Sequence, residues 1–154
     1  HLQPGSKTPL RFKVLLELCR RFHEEPMNLG VQFSSSRDIY HHFQTRLGNL
    51  KQERFIIVIM DNKHRFLSET TVTIGLLNRS LVHPREVFAE AIEQRAAAII
   101  CIHNHPSGDS SPSEEDKRIT RRLQESGGLL GIPLLNHIII SKEDFTSFAN
   151  EGWL

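Results

Sequence analysis

Only two cysteines, Cys19 and Cys101, occur in the 154 residues, and they fall in different expected elements. Two thiols do not make a disulfide framework, so the small stapled secreted class is excluded and a reducing cytoplasm is the simplest setting. Excess charge is also missing. Nineteen basic residues against 18 acidic ones leave a formal net charge of +1, and such a balance gives no push toward nucleic acid or a membrane surface. No apolar run approaches the ~20 residues of a membrane span, no signal-peptide pattern opens the chain, and internal repeats and low-complexity tracts are lacking. The start at His1 instead of methionine is expected of a fragment or a tagged chain, with His1 to Ser6 partly of vector origin. What is present is a hydrophobic fraction of 38% on a length that suits one domain, or one domain with an appendage. That is enough apolar material for a packed core.

The most informative stretch is Ile102-His103-Asn104-His105-Pro106-Ser107-Gly108-Asp109, followed by Ser110-Ser111-Pro112-Ser113-Glu114-Glu115-Asp116. An apolar run from Ala96 to Ile102 delivers two histidines two positions apart. In an extended chain such residues share a face, so both imidazoles can aim at one point. Pro106 and Gly108 break the strand and turn the chain. A helical pattern begins near Ser113, with Asp116 in its first turn, where the carboxylate can swing back toward the rings. Two imidazoles and a carboxylate are a donor set that catalytic Zn²⁺ commonly takes, leaving a fourth position to water whose pKa falls to about 7. The residues alone therefore suggest a metal-activated hydrolase.

Each piece also has a plainer explanation. A lone His-x-His is usually structural. Ser113-x-x-Asp116 fits a helix start, with Ser113 as N-cap and Asp116 as its capping-box partner, and that role leaves a second carboxylate oxygen for a cation. Cys101 shares the parity of the two histidines and is either a soft third ligand or a small buried strand residue, the commoner case.

His103-Asn104-His105-Pro106 with Ser113-Glu114-Glu115-Asp116 resembles the JAMM signature of the JAB/MPN metallopeptidase superfamily, H-x-H-P and then S-x-x-D. The spacing is restrictive. Val82-His83-Pro84-Arg85-Glu86, the Ala96–Ile100 run and Leu135-Asn136-His137-Ile138-Ile139 are similar to segments of the RadC family, and the resemblance runs from about Ser36 to the C-terminus. It implies an α/β fold of the JAB/MPN (cytidine-deaminase-like) kind, a three-layer sandwich with a mixed central β-sheet flanked by helices. It also implies one Zn²⁺ held by His103, His105 and Asp116, with Glu53 as general acid/base and Ser113 stabilising the oxyanion. Asn136 departs from the aspartate usual in the family. RadC proteins carry a helix-hairpin-helix region upstream. Residues 1–33 resemble its tail, a helix and connector, and residues 34–154 the JAMM/MPN domain.

Along the chain, Pro9 to Glu25 reads as an amphipathic helix with Leu10, Phe12, Val14, Leu15, Leu18, Cys19 and Phe22 on one side. A connector follows, and Ser34 to Asp38 starts a helix ending near Gly48. Adjacent His41 and His42 point about 100° apart there and read as surface residues. Glu53 to Met60 is an apolar strand, Asp61 to His64 a turn, and Phe66 to Ile74 the return strand. Gly75 to Val82 is irregular or a short edge strand. Pro84 opens a helix through Ile92, with Glu86, Glu90 and Glu93 toward solvent. After the metal motif, the helix from Ser113 is expected to stop at a Gly127-Gly128 C-cap. Pro133 to Ile140 is a strand holding His137, read as a satisfied core histidine. Phe145 to Trp153 is a short helix or strand.

The leading expectation is a zinc-dependent metallohydrolase of the metalloprotease type, acting on peptide or isopeptide bonds of a peptide or protein substrate. The alternative is a DNA-repair or DNA-processing accessory protein that reaches DNA through the upstream region, and a third is a binding module with a vestigial site. A two-metal nuclease would need more carboxylates near the site; Asp109, Glu114 and Glu115 read instead as loop and helix-start solvation. No membrane partner is expected, and the sequence leaves the oligomeric state open.

Overall fold

The structure, a computed structural model, describes residues 29–75 and 82–154 together with Phe12, Val14 and Leu15. Those three are helical and exposed. The rest of the helix expected over 9–25, including Cys19, and most of the irregular stretch expected over 75–82 lie outside the described residues.

Ser35 caps the first described helix, α1 (Ser36–Leu47), its hydroxyl accepting from the Asp38 N–H. Ile39, Tyr40, Phe43 and Leu47 form its buried stripe, while His41 and His42 are exposed, as their spacing predicted. Strand β1 (Arg54–Met60) pairs antiparallel with β2 (Phe66–Ile74). The turn between them is held by Asp61, whose carboxylate accepts from the Lys63 and Arg65 N–H groups and pairs with the Arg65 guanidinium. Those hydrogen bonds pull the carboxyl pKa down to about 2. Helix α2 (Pro84–Glu93) carries proline in its first turn and is capped by the His83 ring. Strand β3 (Ala98–Asn104) is buried at every position and runs further than the apolar run alone suggests, taking His103 and Asn104 into the sheet. Helix α3 (Glu114–Leu130), β4 (Leu134–Ile140) and the three-residue β5 (Phe145–Ser147) complete the chain.

The strand order is β2-β1-β3-β4-β5, with β3 and β4 parallel and the other neighbours antiparallel. The sheet is mixed because α3 makes the single crossover that two parallel neighbours require. Alternation along β1 divides the core. Ile56, Val58 and Met60 face α1 with Ile100 and Ile102. Phe55, Ile57 and Ile59 face the other way, against Val87 and Phe88 of α2 and Ile119 and Leu123 of α3. Helix, sheet and helices make three layers, the expected α/β sandwich.

Two boundaries differ from expectation. Helix α3 passes through Gly127 and Gly128 and ends at Leu130, with Gly131 in the left-handed conformation (φ 70°) as its cap. Gly127 serves packing instead: a Cβ there would lie 2.4 Å from the Ile132 carbonyl oxygen and 3.2 Å from Phe88 Cζ. The tail resolves into β5 followed by turns that bring Trp153 edge-on to Phe148.

Candidate metal centre

His103 lies on the α2/α3 face of β3, the parity of Ile99 and Cys101. His105 follows two residues on, just past the strand, where its N–H still reaches the Ile140 carbonyl of β4 at 2.8 Å. The turn through Pro106 and Gly108 (φ 89°) returns the chain to Ser113, the N-cap of α3. The capping box is complete: Ser113 Oγ accepts from the Asp116 N–H at 3.1 Å, and Asp116 Oδ2 accepts from the Ser113 N–H at 2.7 Å. The cap fixes the carboxylate that faces the rings, so the two explanations of Ser113-x-x-Asp116 hold together.

His103 Nε2 and His105 Nε2 are 2.9 Å apart. His103 Nε2 is 3.3 Å from Asp116 Oδ1, and His105 Nε2 is 3.3 Å from Asp116 Oδ2. Four ligands at the usual zinc bond lengths define a tetrahedron with edges of about 3.3 Å, so the spacing fits one small cation. Among the described residues, these three form the one His/Cys/Asp/Glu group able to hold a metal ion.

The proton inventory agrees. His105 Nδ1 is 2.8 Å from the Asp109 carbonyl, which can only accept, so Nδ1 carries the proton and a neutral ring presents its Nε2 lone pair. A carboxylate brings no proton either. The arrangement therefore calls for positive charge between three acceptors. Burial lowers the His105 pKa, but the Asp116 carboxylate and the Asp109 carbonyl outweigh it and the net shift is upward. At His103, fully buried, desolvation wins over Asp116 and the pKa is lowered. Burial would raise Asp116, yet the two imidazoles beside it and the Ser113 side chain hold it well below the carboxylate range.

Glu53 sits one residue before β1. The β1–β3 register pairs Phe55 with His103; continued by two residues, it sets Glu53 opposite His105, and the charge of Glu53 acts on both histidines, opposing the larger effect of burial. The hinge of this placement is Asn104, a residue that spacing did not single out. Its Oδ1 accepts from the Arg54 N–H at 2.8 Å, and its Nδ2 donates to the Gln52 carbonyl at 3.1 Å. Both peptide groups flanking Glu53 are thus tied to the residue between the two histidines.

Other candidates fall away from the ligand set. Cys101 is packed in the apolar cluster, where burial pushes its thiol pKa up. Glu114 pairs with Lys117 and Glu115 with Arg118, and Asp109 accepts from the Ser111 N–H. Glu86 and Glu93 are exposed and Glu90 is partly so. Asn136 faces away from the site: it bonds the hydroxyls of Ser36 and Ser147 and accepts from the Ala149 N–H. An amide there ties α1 and the segment after β5 to β4. His137 is buried and hydrogen-bonded on both ring nitrogens, one of them to His103. Thr120, its other partner, went unnoticed in the sequence, although its i+4 spacing from Asp116 puts both on one helix face.

Residues 33–153 match the family model described as the RadC-like JAB domain. A UPF0758 protein of Syntrophotalea carbinolica is 44% identical over 150 residues, which cover 97% of this chain and 66% of that protein. A UPF0758 protein of Geobacter sulfurreducens is 42% identical over 151 residues, with coverages of 97% and 66%. One from Bacillus licheniformis is 43% identical over 150 residues, with coverages of 97% and 67%. The chain spans about two thirds of the length of these curated relatives.

Proposed function

The chain belongs to the RadC-like JAB domain family, and from that premise we propose that it is a zinc-dependent hydrolase of peptide or isopeptide bonds. The observation that carries this reading is the meeting of His103 Nε2, His105 Nε2 and the Asp116 carboxylate, three acceptors at tetrahedral spacing beside Glu53. His103, His105 and Asp116 hold the ion; nitrogen and carboxylate donors without thiolate suit Zn²⁺. When bound, Zn²⁺ supplies Lewis acidity and brings the pKa of a coordinated water toward about 7.

The protein's own groups do the rest. Glu53 accepts a proton from the attacking water and delivers it to the leaving nitrogen, so that the amine departs neutral. Ser113 Oγ caps α3 by accepting from the Asp116 N–H, and its hydroxyl, beside the Asp116 carboxylate, is placed to turn toward the developing oxyanion. Asn104 keeps Glu53 in place through the peptide groups on either side of it.

The test is elemental analysis of purified protein together with a screen of peptide and isopeptide bonds against a chelator control. Glu53→Gln is expected to keep its zinc and lose on the order of 10²- to 10⁴-fold in turnover, the usual worth of a general base. His103→Ala is expected to lose both. Full zinc content in the His103→Ala/His105→Ala double variant would overturn the assignment.

A further inference from the structure

Behind the metal centre a single line of hydrogen bonds leaves one ligand and returns to another. His103 Nδ1 is 2.7 Å from His137 Nε2. His137 Nδ1 is 2.6 Å from Thr120 Oγ1. Thr120 Oγ1 donates to the main-chain carbonyl of Asp116 at 2.6 Å. All four residues are buried, so water does not substitute for a missing partner.

The direction of every proton in this line follows from its last member. A peptide carbonyl has no proton to give, so the Thr120 hydroxyl proton points at Asp116. The Thr120 oxygen then accepts, and the proton between it and His137 belongs to His137 Nδ1. A neutral His137 is left with a lone pair on Nε2, which accepts from His103 Nδ1–H. His103 in turn is left with its Nε2 lone pair facing His105 and Asp116. Reversing the two bonds that His137 makes would put a proton on the His103 nitrogen that faces the cation position.

We propose that His137 and Thr120 are positioning residues that fix the tautomer and the ring orientation of His103, and that by closing on the Asp116 peptide they hold the strand ligand and the helix ligand in one registered unit. This rests on the reading of His103, His105 and Asp116 as metal ligands. The rings have no room to adapt. Phe148 stacks on His137 with centroids 4.9 Å apart and planes at 19°, Phe55 meets the same ring edge-on at 5.4 Å, and Phe55 lies against His103 at 5.9 Å. A histidine ligand usually donates its second N–H to a carboxylate, a carbonyl or water. Here a second imidazole takes that part, and it is a directed partner only because the threonine orients it.

The test needs two measurements. In metal-free wild-type protein, imidazole ¹⁵N shifts are expected to show both His103 and His137 as Nδ1–H tautomers; an Nε2–H tautomer at either ring overturns the proposal. Zn²⁺ affinity is then measured by competition with a chromogenic chelator for wild type, Thr120→Val and Thr120→Ser. Valine keeps the volume and removes the hydroxyl, and is expected to weaken Zn²⁺ binding on the order of 10- to 100-fold and to change the His137 tautomer. Serine is expected to restore both. Wild-type affinity in a folded Thr120→Val variant overturns the proposal as well. If wild type binds no Zn²⁺ at all, the hydrolase reading fails, while the tautomer measurement still decides the fate of the hydrogen-bond line.

Discussion

Asn104 stands between two histidines whose rings face the site, yet its own side chain does a different job, bonding the backbone before and after Glu53. Removing it takes the side-chain partner from a part-buried carbonyl and N–H, an expected loss of about 1 kcal/mol in stability. The effect on catalysis should be separable. Asn104→Ala is expected to keep stoichiometric zinc while kcat falls by roughly 10²-fold, the cost of a reacting group displaced by about 1 Å; unchanged kcat in a zinc-loaded variant would remove the positioning role. Titration is a second residue-scale effect. Unfolded imidazoles titrate near 6.5, whereas burial lowers His103 and His137 in the folded protein. As pH falls through about 6.5, the unfolded chain binds protons that these rings refuse, so stability drops with acidification. His105 is shifted upward and opposes them, its contribution present at low pH and lost as pH rises through its folded pKa. Burial also lowers His42; with three rings against one, metal-free protein is expected to melt at lower temperature at about pH 5.5 than at about pH 7.5 in a calorimetric scan. The meeting of His103, His105 and Asp116 was legible in the sequence because their spacing brings the three side chains together. Asn104 and the His137–Thr120 pair were not, since the first depends on where β1 begins and the second on the parallel register of β3 with β4.

At the level of elements, apolar alternation and cap residues located the described strands and helices, and the errors sit where one residue type has two uses. Gly127 and Gly128 look like a helix stop, yet α3 runs two residues beyond them. The cost of two helical glycines is about 1 kcal/mol each; it is borne because Gly127 allows α3 to lie against the Ile132 carbonyl and Phe88. The two glycines should therefore respond in opposite ways. Gly127→Ala is expected to destabilise by about 1–3 kcal/mol through overpacking. Gly128→Ala meets open space and is expected to stabilise by up to about 1 kcal/mol. Urea denaturation of the pair checks both signs, and equal effects would refute the packing role of Gly127.

For the molecule as a whole, the three-layer arrangement was expected from the succession of helices and strands and from the family resemblance, whereas the order of strands was not, because no residue pattern names its neighbour across a sheet. Among the described residues no helix is long and apolar enough to cross a membrane. Two apolar clusters pack on the two faces of the sheet, so the metal-free chain is expected to fold. Chelation is expected to leave circular dichroism native-like while lowering Tm, by an amount that grows with the zinc concentration of the loaded sample and corresponds to about 2.7 kcal/mol at about 100 times Kd. Unfolding on chelation would show instead that the ion is structural.

The sealed position of Cys101, two residues inward from His103 on the same face, has a consequence of its own. A site built from imidazole and carboxylate, with Cys101, the one cysteine among the described residues, shut inside the core and held protonated by burial, presents no thiolate of its own to peroxide or alkylating agents. Reagents that disarm thiolate-ligated metal centres would have to part the sheet before reaching this one.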